Sequence, residues 1–314
     1  MRDRTPRLIA LGPIPPDLRA ALAERYPLVD CPAATLTGTE PAPGYDVAVT
    51  MSVHGVSEAL MKRLPDLALI ACNGAGLERI DLAAARRRGI AVCHTPDELA
   101  EDVAECAIAL LYAIMRRVAE ADRFVRAGRW ARERMAPSRR LAGKAVGIVG
   151  LGRIGMLVAQ RAQGIGMQVA YCAPRPKAHA PWPFVADLPE LAERSDALVL
   201  CCPGGEATRN LVGRAVLERL GPAGYLVNVA RGSVVNEPEL IAALAEGRIA
   251  GAALDVFASE PALDPRFLAL ENVVLQPHSA SITHETRAAM LARLLGDIAA
   301  FAEGRAFHDA AARA

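Results

Sequence analysis

Along residues 7–93, short apolar runs alternate with segments in which apolar residues recur at helical spacing. The runs predict β-strands over residues 7–11, 46–50, 67–72 and 90–93. The segments between them predict helices over residues 16–26, 57–64 and 80–88. Strands that alternate with helices are typical of a parallel sheet with helices on both faces. We therefore predict a small α/β domain in this part of the chain.

A longer helical pattern follows over residues 98–117. Val103, Cys106, Leu110 and Ile114 form one apolar stripe, and the other faces of the segment are also rather apolar. A helix that is apolar nearly all round is buried by more than its own domain. We interpret this helix as the crossing from the first domain to the second, with a contact between two copies of the chain as a second role.

From residue 144 the alternation of strands and helices restarts. Strands are predicted over residues 145–149, 168–172, 184–186, 197–202, 225–229, 251–256 and 273–275. Helices are predicted over residues 188–194, 214–220 and 237–246, and a last helix over residues 283–303 returns to the first domain. The fold class is therefore α/β, with two Rossmann-like, doubly wound parallel-sheet domains. We expect residues 1–98 and 282–314 to form one discontinuous, flavodoxin-like domain and residues 99–281 to form the other.

The first predicted strand of the second domain runs directly into Gly150-x-Gly152-x-x-Gly155 and then into a helical pattern. In a strand–turn–helix context, this spacing is the fingerprint of dinucleotide binding. Gly150 permits the tight turn, Gly152 lets the backbone approach a pyrophosphate, and Gly155 lets the helix pack close to the strand. Arg153 and Ile154 open the helix, whose N-terminal N–H groups favour phosphate. We therefore expect residues 99–281 to be a dinucleotide-binding domain and residues 1–98 with 282–314 to be the substrate domain. The alternative is a purely structural turn.

The end of the second strand in this domain bears on the choice of dinucleotide. NAD-binding versions carry an acid there that accepts a hydrogen bond from the ribose 2′-hydroxyl, whereas this segment reads YCAPRPK and has none. Arg175 and Lys177 lie where a 2′-phosphate would be, and a guanidinium binds phosphate through paired hydrogen bonds. We therefore predict NADP, with NAD possible. If both cations are only solvated, either cofactor is accepted.

Three polar residues follow successive strands of the second domain: Arg231 in NVARG, Glu260 in ASEP and His278 in QPHS. Ligands of doubly wound sheets bind at these carboxyl ends. Arg231 can hold a carboxylate and polarise a carbonyl, His278 can donate a proton, and Glu260 can orient the imidazole and favour its charged form. Each residue alone also has a structural explanation, as an ion pair, a helix cap or a satisfied core group. Their shared position favours catalysis.

Composition narrows the class of protein. The 314 residues are 52% hydrophobic and 23% charged with a net charge of +1, which indicates a globular chain and argues against nucleic acid as a partner. Seven cysteines without a C-x-x-C motif indicate reduced thiols. The longest apolar run, residues 106–115, is too short to span a bilayer, and the first residues lack the apolar region of a signal peptide. We expect a soluble cytoplasmic protein, and we assign no residue to a metal site.

Six stretches of the chain carry a family resemblance. They are NGAGLERIDL (73–82), HTPDELAEDVAECAIALL (94–111), VGIVGLGRIG (146–155), LVNVARGSVVNEPELIAAL (226–244), GAALDVFASEP (251–261) and LQPHSASITHETRAAM (275–290). Over nearly its whole length the sequence resembles the D-isomer-specific 2-hydroxyacid dehydrogenases. Within them it is most similar to the glyoxylate/hydroxypyruvate and hydroxyphenylpyruvate reductase branch.

The resemblance implies roles that agree with the reasoning from single residues. It assigns substrate binding to Arg231, pairing to Glu260, acid/base chemistry to His278, and a position beside the nicotinamide carboxamide to Asp255. It assigns carboxylate-binding N–H groups to a turn whose residues are Asn73, Gly74, Ala75 and Gly76. Independently, that turn ends a strand, and its glycines allow an anion-binding nest.

Further contacts are predicted around these sites. We expect additional cofactor contacts at Cys202, Pro203, Thr208, Val229 and Ala230, besides those of Asp255 and His278. His54 follows a first-domain strand and either lines the substrate pocket or is an ordinary loop histidine.

The sequence departs from the family pattern at two places. Where this branch commonly has a Ser-Arg pair after the second strand, the chain has Ala173-Pro174, with Arg175 one position later. Where many relatives have glycine in H-x-G-S, the chain reads Ser279-Ala280-Ser281.

We expect an oxidoreductase that transfers a hydride from NAD(P)H to a small 2-keto acid of the glyoxylate or hydroxypyruvate kind, with histidine as the proton donor, and that forms a homodimer. Two alternatives remain. One is a dinucleotide-sensing, corepressor-like protein without turnover, which would not need Arg231, Glu260 and His278 together. The other is a dehydrogenase for a one-carbon or phosphorus substrate, for which the Glu–His pair would be less useful.

Overall fold

A computed structural model describes residues 5–31 and 40–309 of the chain. Two compact units are formed, each by its own part of the chain. The split unit comprises Met1–Leu99 and Thr283–Ala314, and the central unit comprises Ala100–Ile282. The domain limits predicted at 98/99 and 281/282 differ from these by one residue at each crossing.

The split unit is built on a five-stranded parallel sheet of order β2-β1-β3-β4-β5, the flavodoxin-like order. Its strands are β1 (Leu8–Ala10), β2 (Leu28–Asp30), β3 (Val47–Met51), β4 (Leu69–Asn73) and β5 (Ala91–His94). Its helices are α1 (Pro16–Ala23), α2 (Glu58–Arg63), α3 (Leu82–Arg87) and, near the end of the chain, α10 (His284–Ala302).

Successive strand residues point to opposite faces of this sheet, and each face carries a buried core. Ile9 and Ile70 belong to the core under α2 and α3, whereas their neighbours Leu8 and Leu69 belong to a second core. That second core includes Leu294 of α10, so the last helix packs on the sheet of the split unit. This return of the chain to its first domain is expected from the sequence.

The central unit is built on a six-stranded parallel sheet of order β11-β10-β9-β8-β6-β7. Its strands are β6 (Ala145–Val149), β7 (Gln168–Cys172), β8 (Ala197–Leu200), β9 (Tyr225–Asn228), β10 (Gly251–Leu254) and β11 (Val273–Leu275). Its helices are α4 (Ala100–Met115), α5 (Val118–Arg126), α6 (Arg153–Gly164), α7 (Leu188–Glu193), α8 (Arg214–Leu220) and α9 (Glu237–Ala245). In each sheet all strands are parallel, so their carboxyl ends share one edge.

Side-chain caps explain where several helices begin. The side chains of Ser57, Asp81, Asp187, Asn236 and Thr283 each accept a hydrogen bond from the backbone N–H three residues later. Such a cap satisfies one of the donors that an α-helix leaves without an internal partner. Within the described residues, no helix combines the length and the apolar character that a membrane crossing requires.

One local prediction needs correction, and two elements were not predicted. The strand predicted at 184–186 is wrong, because the segment makes a single bridge from Phe184 to Tyr171. The carbonyl of Pro183 accepts a hydrogen bond from Tyr171 N–H in this bridge, but Pro183 has no N–H to donate, so the pairing does not extend toward earlier residues. Strand β2 was not predicted because it is short and mostly exposed. Helix α5 was not predicted because only two residues separate it from α4, and one of them, Arg117, adopts a left-handed conformation.

Candidate active site

The glycine-rich turn after β6 is fixed by close packing at two of its three glycines. Gly150 has φ +92, and a Cβ atom there would lie 2.6 Å from the Cα atom of Cys202. A Cβ atom at Gly155 would lie 2.1 Å from the carbonyl oxygen of Gly150. At Gly152, by contrast, a Cβ atom would meet no described atom within 4 Å. The first and third glycines therefore build the turn, and the middle one leaves open space of the kind that a pyrophosphate needs.

Helix α6 starts directly after this turn. Gly152 is its N-cap residue and supplies no side chain to cap the helix. No N-cap side chain therefore accepts a hydrogen bond from the first turn of this helix, which Arg153 and Ile154 open. A helix N-terminus in this state favours an anion.

The loop after β7 presents cations and no acid. The Tyr171 hydroxyl accepts a hydrogen bond from the backbone N–H of Lys177 at 2.8 Å, which fastens the loop to the strand. Arg175 and Lys177 are exposed, and in the described part of the chain neither side chain has a hydrogen-bonding or ion-pair partner. Both cations are thus accessible to a ligand at the end of β7.

His278 and Glu260 form a directly hydrogen-bonded pair. Nδ1 of His278 lies 2.7 Å from Oε2 of Glu260, and the other carboxylate oxygen accepts a hydrogen bond from the N–H of Phe257 at 2.8 Å. Because an ionised carboxylate only accepts, Nδ1 carries the proton and Nε2 remains for the reaction. The histidine side chain is 35% exposed and the glutamate side chain 24%, so solvent or a ligand can reach them.

The electrostatic environment keeps Glu260 ionised. Burial raises its pKa. The hydrogen bonds from His278 and Phe257 and the charges of His278 and Arg231 together lower the pKa by more than burial raises it. The net effect is a pKa below the ordinary carboxyl value. Glu260 is therefore a stable anion that can orient the imidazole and stabilise its charged form.

Asp255 holds the backbone that carries His278. Its two carboxylate oxygens accept hydrogen bonds from the N–H groups of Ser279 at 2.8 Å and Ala280 at 3.2 Å, and its carbonyl oxygen accepts one from the N–H of His278 at 2.8 Å. His278 has φ +53, a left-handed conformation that is unusual for a non-glycine residue. Such strain persists where surrounding contacts enforce it. Asp255 is 1% exposed, and burial raises its pKa despite the two N–H donors.

Arg231 lies just beyond β9, in a loop held by the buried Asn228. Oδ1 of Asn228 accepts a hydrogen bond from Ala230 N–H at 3.0 Å, and its Nδ2 donates to the Arg231 carbonyl at 3.1 Å. A Cβ atom at Gly232 would lie 1.9 Å from the carbonyl carbon of Phe257. The loop of Arg231 is thus locked against the loop that carries Glu260.

Glu237, which the sequence analysis did not single out, fastens the same loop from the other side. Its Oε1 accepts a hydrogen bond from Ala258 N–H at 2.6 Å. The residue is 8% exposed, and burial raises its pKa. Asn228 is a polar residue that ends an apolar strand, and this is a signal in the sequence for its support of the Arg231 loop. Glu237 gave no such signal, because an acid in the first turn of a helix is ordinary.

The remaining predicted cofactor contacts lie after β8 and β9, whose carboxyl ends share one sheet edge with that of β6. Cys202 packs on Gly150, and burial raises the pKa of its thiol to about 11, so it stays protonated. The Thr208 hydroxyl donates to the Pro203 carbonyl at 2.7 Å and closes that loop. Val229 and Ala230 are buried where β9 ends.

In the split unit, the turn of Asn73, Gly74, Ala75 and Gly76 (the 73–76 turn) follows β4. Gly74 has φ +139, and a Cβ atom there would collide with the Ser52 hydroxyl at 1.9 Å. His54 follows the adjacent strand β3 and is exposed, with its ring against Gly12. The structure thus brings His54 to the same sheet edge as the turn. Residues around the turn that sequence reasoning missed are Ser52, His94 and Thr95.

The chain has recognisable relatives. Residues 108–280 match the family described as "D-isomer specific 2-hydroxyacid dehydrogenase, NAD binding domain". The chain is 41% identical to 2-ketogluconate reductase of Gluconobacter oxydans (strain 621H) over 297 residues, 94% of this chain and 95% of the reductase. It is 43% identical to glyoxylate/hydroxypyruvate reductase A HPR2 of Arabidopsis thaliana over 251 residues, 80% of each chain.

A solved structure shows the same similarity in three dimensions. The NADPH-dependent glyoxylate/hydroxypyruvate reductase of Sinorhizobium meliloti, crystallised with NADP and malonate, is similar at a TM-score of 0.88 and 36% identity. The similarity covers 95% of this chain and 94% of that one. All three relatives are named as reductases, so they lend no support to the alternative of a sensor without turnover.

Proposed function

The chain belongs to the D-isomer-specific 2-hydroxyacid dehydrogenases, and we propose that it reduces a small 2-keto acid of the glyoxylate or hydroxypyruvate type. The observation that carries this proposal is the 2.7 Å hydrogen bond between Glu260 and His278 at the sheet edge that also carries Arg231. A protein that only sensed a dinucleotide would need the glycine-rich turn but not a positioned proton donor.

The residues at this edge divide the chemistry among them. NAD(P)H supplies the hydride that goes to the carbonyl carbon. The protonated Nε2 of His278 gives its proton to the carbonyl oxygen, which becomes the hydroxyl of the product, and the neutral histidine then takes a proton from solvent. Glu260 stabilises the imidazolium before transfer and keeps the ring oriented throughout. The left-handed backbone of His278, fixed through Asp255, sets where the ring stands.

We assign substrate binding to Arg231 and to the 73–76 turn. The guanidinium can hold the substrate carboxylate through two hydrogen bonds and polarise the neighbouring carbonyl. Stabilising the charge that develops on that oxygen lowers the barrier to hydride transfer. The turn supplies main-chain N–H groups to the carboxylate, and His54 is a further candidate for lining the pocket.

We propose NADP(H) as the preferred cofactor. Two accessible cations, Arg175 and Lys177, follow β7, and no acid stands between β7 and Lys177 to repel a 2′-phosphate. The Sinorhizobium meliloti relative, which is NADPH-dependent by its description, supports the same preference. Gly152 and the start of α6 would take the pyrophosphate, because that is where the turn leaves space and N–H groups.

We also propose a cytoplasmic homodimer. Exposed apolar side chains are concentrated on α4, α5 and the short helical segment after it, where Tyr112, Val118, Val125 and Trp130 are 39%, 54%, 53% and 60% exposed. A second copy covering them would remove apolar surface from water. The seven cysteines form no disulfide, which fits a reducing compartment. Sedimentation of the chain with Val125→Asp and Trp130→Asp tests the dimer, and a wild-type monomer would refute it.

The proposed activity is tested by initial rates at the nicotinamide absorbance band. NADPH and NADH are offered separately with glyoxylate, hydroxypyruvate, 2-ketogluconate and an aryl-pyruvate, and the assay is repeated with His278→Ala. We expect turnover that falls by at least about a hundredfold in the variant, the scale of a lost general acid. Binding of NADPH, followed by its fluorescence, should persist in the variant.

Two results would change the assignment. Faster turnover with NADH would leave the reductase in place and contradict the cofactor preference. No turnover with any pair, alongside tight cofactor binding, would overturn the enzyme assignment. A double variant, Arg175→Ala with Lys177→Ala, should raise KM for NADPH while leaving KM for NADH unchanged, because NADH has no 2′-phosphate.

A further inference from the structure

The carbonyl groups of the 73–76 turn are held from inside the split unit. The Gly74 carbonyl accepts a hydrogen bond from Thr95 N–H at 3.0 Å, and the Ala75 carbonyl accepts one from Nδ1 of His94 at 3.0 Å. The Gly76 carbonyl accepts a weaker one from Sγ of Cys72 at 3.8 Å. Three consecutive carbonyls of the turn therefore accept hydrogen bonds from residues of the same unit.

This arrangement determines where the next N–H groups point. In a planar trans peptide, the C=O of one residue and the N–H of the next are antiparallel. The N–H groups of Ala75, Gly76 and Leu77 are therefore directed away from the groups that hold the carbonyls. Among the described residues none accepts a hydrogen bond from these three N–H groups. Successive N–H groups in a turn form a concave site for an anion.

The N–H of Gly74 is excluded from this set. It donates to Oγ1 of Thr95 at 2.9 Å, and Thr95 is fully buried. Thr95 therefore binds both the N–H and the carbonyl of Gly74. The N–H groups left for a ligand begin at Ala75, the residue whose own carbonyl His94 holds.

We propose that His94 is a positioning residue for the carboxylate of the substrate. By donating from Nδ1 to the Ala75 carbonyl, it rotates the peptide between Ala75 and Gly76 so that the N–H of Gly76 faces the carboxylate. A carbonyl oxygen only accepts hydrogen bonds, so Nδ1 must carry the proton. This inference rests on the proposed function, because it takes the carboxylate of a 2-keto acid as the ligand of the turn.

The segment after α10 contacts the ring of His94. The rings of His94 and His308 lie 5.6 Å apart between centroids at 39° to each other. Asp309 fixes this segment by accepting a hydrogen bond from Val92 N–H at 2.9 Å on β5, the edge strand. Phe307 anchors it through an edge-on contact with Phe301. His94 thus lies between the 73–76 turn and the segment after α10, which limits the orientations that its ring can adopt.

Two substitutions at position 94 separate the hydrogen bond from the ring. His94→Phe keeps a ring against His308 but has no donor, whereas His94→Asn places an amide N–H near the position of Nδ1. We expect His94→Phe to raise KM for the 2-keto acid about tenfold, the scale of one lost hydrogen bond, with kcat within about threefold. KM for NADPH should not change, and His94→Asn should recover most of the loss. His284→Phe, an exposed histidine at the start of α10, is the matched control.

Direct binding of oxalate provides a readout that needs no turnover. Oxalate carries the two adjacent carboxyl groups that mimic a 2-keto acid, and calorimetry on the cofactor-bound protein gives its Kd. We expect the Kd to rise about tenfold in His94→Phe and to return in His94→Asn, in parallel with KM.

Several outcomes would overturn the assignment of His94. They are a fall in kcat without a change in KM or in the Kd of oxalate, an equal effect of the phenylalanine and asparagine variants, or an equal effect of His284→Phe. If the wild-type protein binds oxalate but reduces no 2-keto acid, the proposed function fails. The calorimetric series still decides the role of His94 in that case.

Discussion

The two units place polar groups at the carboxyl edge of a parallel sheet in different ways. In the central unit the groups are charged side chains, Arg231, Glu260 and His278, and buried polar side chains fix the loops that carry them. In the split unit the groups are main-chain N–H groups, and the end of strand β5 fixes the turn. A proton donor needs a side chain whose protonation can change, whereas binding a carboxylate needs only oriented dipoles. The difference agrees with the two tasks that we propose for these units.

Three carboxylates of the central unit, those of Glu260, Asp255 and Glu237, differ in the direction of their pKa shifts. The pKa of Glu260 is lowered, because its hydrogen bonds and neighbouring positive charges outweigh burial. The pKa values of Asp255 and Glu237 are raised, because for them burial outweighs the N–H donors. Of these three carboxylates, only that of Glu260 is hydrogen-bonded to the side chain of His278, and the other two accept hydrogen bonds from backbone N–H groups. The carboxylate that we propose to act on His278 therefore has a lowered pKa, and the two carboxylates that hold backbone have raised pKa values.

The largest effect is expected when the charge of Arg231 is removed. We expect Arg231→Gln to lower kcat/KM by about a thousandfold, because the guanidinium both binds the substrate carboxylate and stabilises the developing alkoxide. Arg231→Lys keeps the charge without the paired donors and should recover only part of the loss. Steady-state kinetics with a 2-keto acid give both values. A loss confined to KM, with kcat unchanged, would show that Arg231 only binds.

A smaller effect is expected at Glu260. Glu260→Gln can still accept a hydrogen bond from His278 but cannot stabilise the imidazolium, so kcat should fall by about ten- to a hundredfold. Because the folded-state pKa of Glu260 is lowered, its contribution to folding is present above the ordinary value of 4.5 and is lost as pH falls through the lowered pKa.

The pH dependence supplies the control for this variant. Denaturant unfolding should show the wild-type protein more stable than Glu260→Gln near neutral pH, with the difference shrinking below pH 4.5. Activity of the wild type should also decline there as the carboxylate is protonated. A stability difference that is constant across this range would contradict the ionised pair.

Substitutions of Glu237 test whether a buried carboxylate contributes to catalysis only through its hydrogen bond to a backbone N–H. Glu237→Ala leaves Ala258 N–H without its partner and loosens the loop of Glu260, so kcat should fall about tenfold. Glu237→Gln retains an acceptor oxygen and should cost much less. Since burial raises the folded-state pKa of Glu237, its contribution to stability falls as pH rises above 4.5. The glutamine variant should therefore gain stability relative to wild type over that window, and a relative loss would refute the assignment.

The sequence predicted the features that local chemistry dictates. The turn after β6 was predictable because only glycine fits at Gly150 and Gly155, and the strand and helix around it have their own periodicity. Arg231, Glu260 and His278 were predictable because each follows a strand of a parallel sheet. Their roles and the preference for NADP are still predictions. The family and fold that the resemblance implied are confirmed.

The contacts that join distant segments could not be predicted in the same way. Glu237 meets Ala258, and His94 meets both Ala75 and His308, only because the folded backbone brings them together. A histidine at the end of a strand and an acid in the first turn of a helix are ordinary residues in sequence. The segment predicted as a strand at 184–186 makes only the bridge from Phe184 to Tyr171, and its sequence does not show how far pairing with β7 extends.

The smallest effect is expected where the split unit uses a neutral side chain. Thr95→Val keeps the shape of the residue but leaves the buried Gly74 N–H without an acceptor, which costs about 1–3 kcal/mol of unfolding free energy. Because the N–H of Gly74 is not among those left for the substrate, KM should rise only about two- to threefold and kcat should stay unchanged. Thr95→Ser, which retains the hydroxyl, is the matched control for denaturant unfolding and kinetics. If Thr95→Val lowered kcat as strongly as Arg231→Gln, the split unit would do more than bind, and the division of tasks between side chains and main chain would not hold.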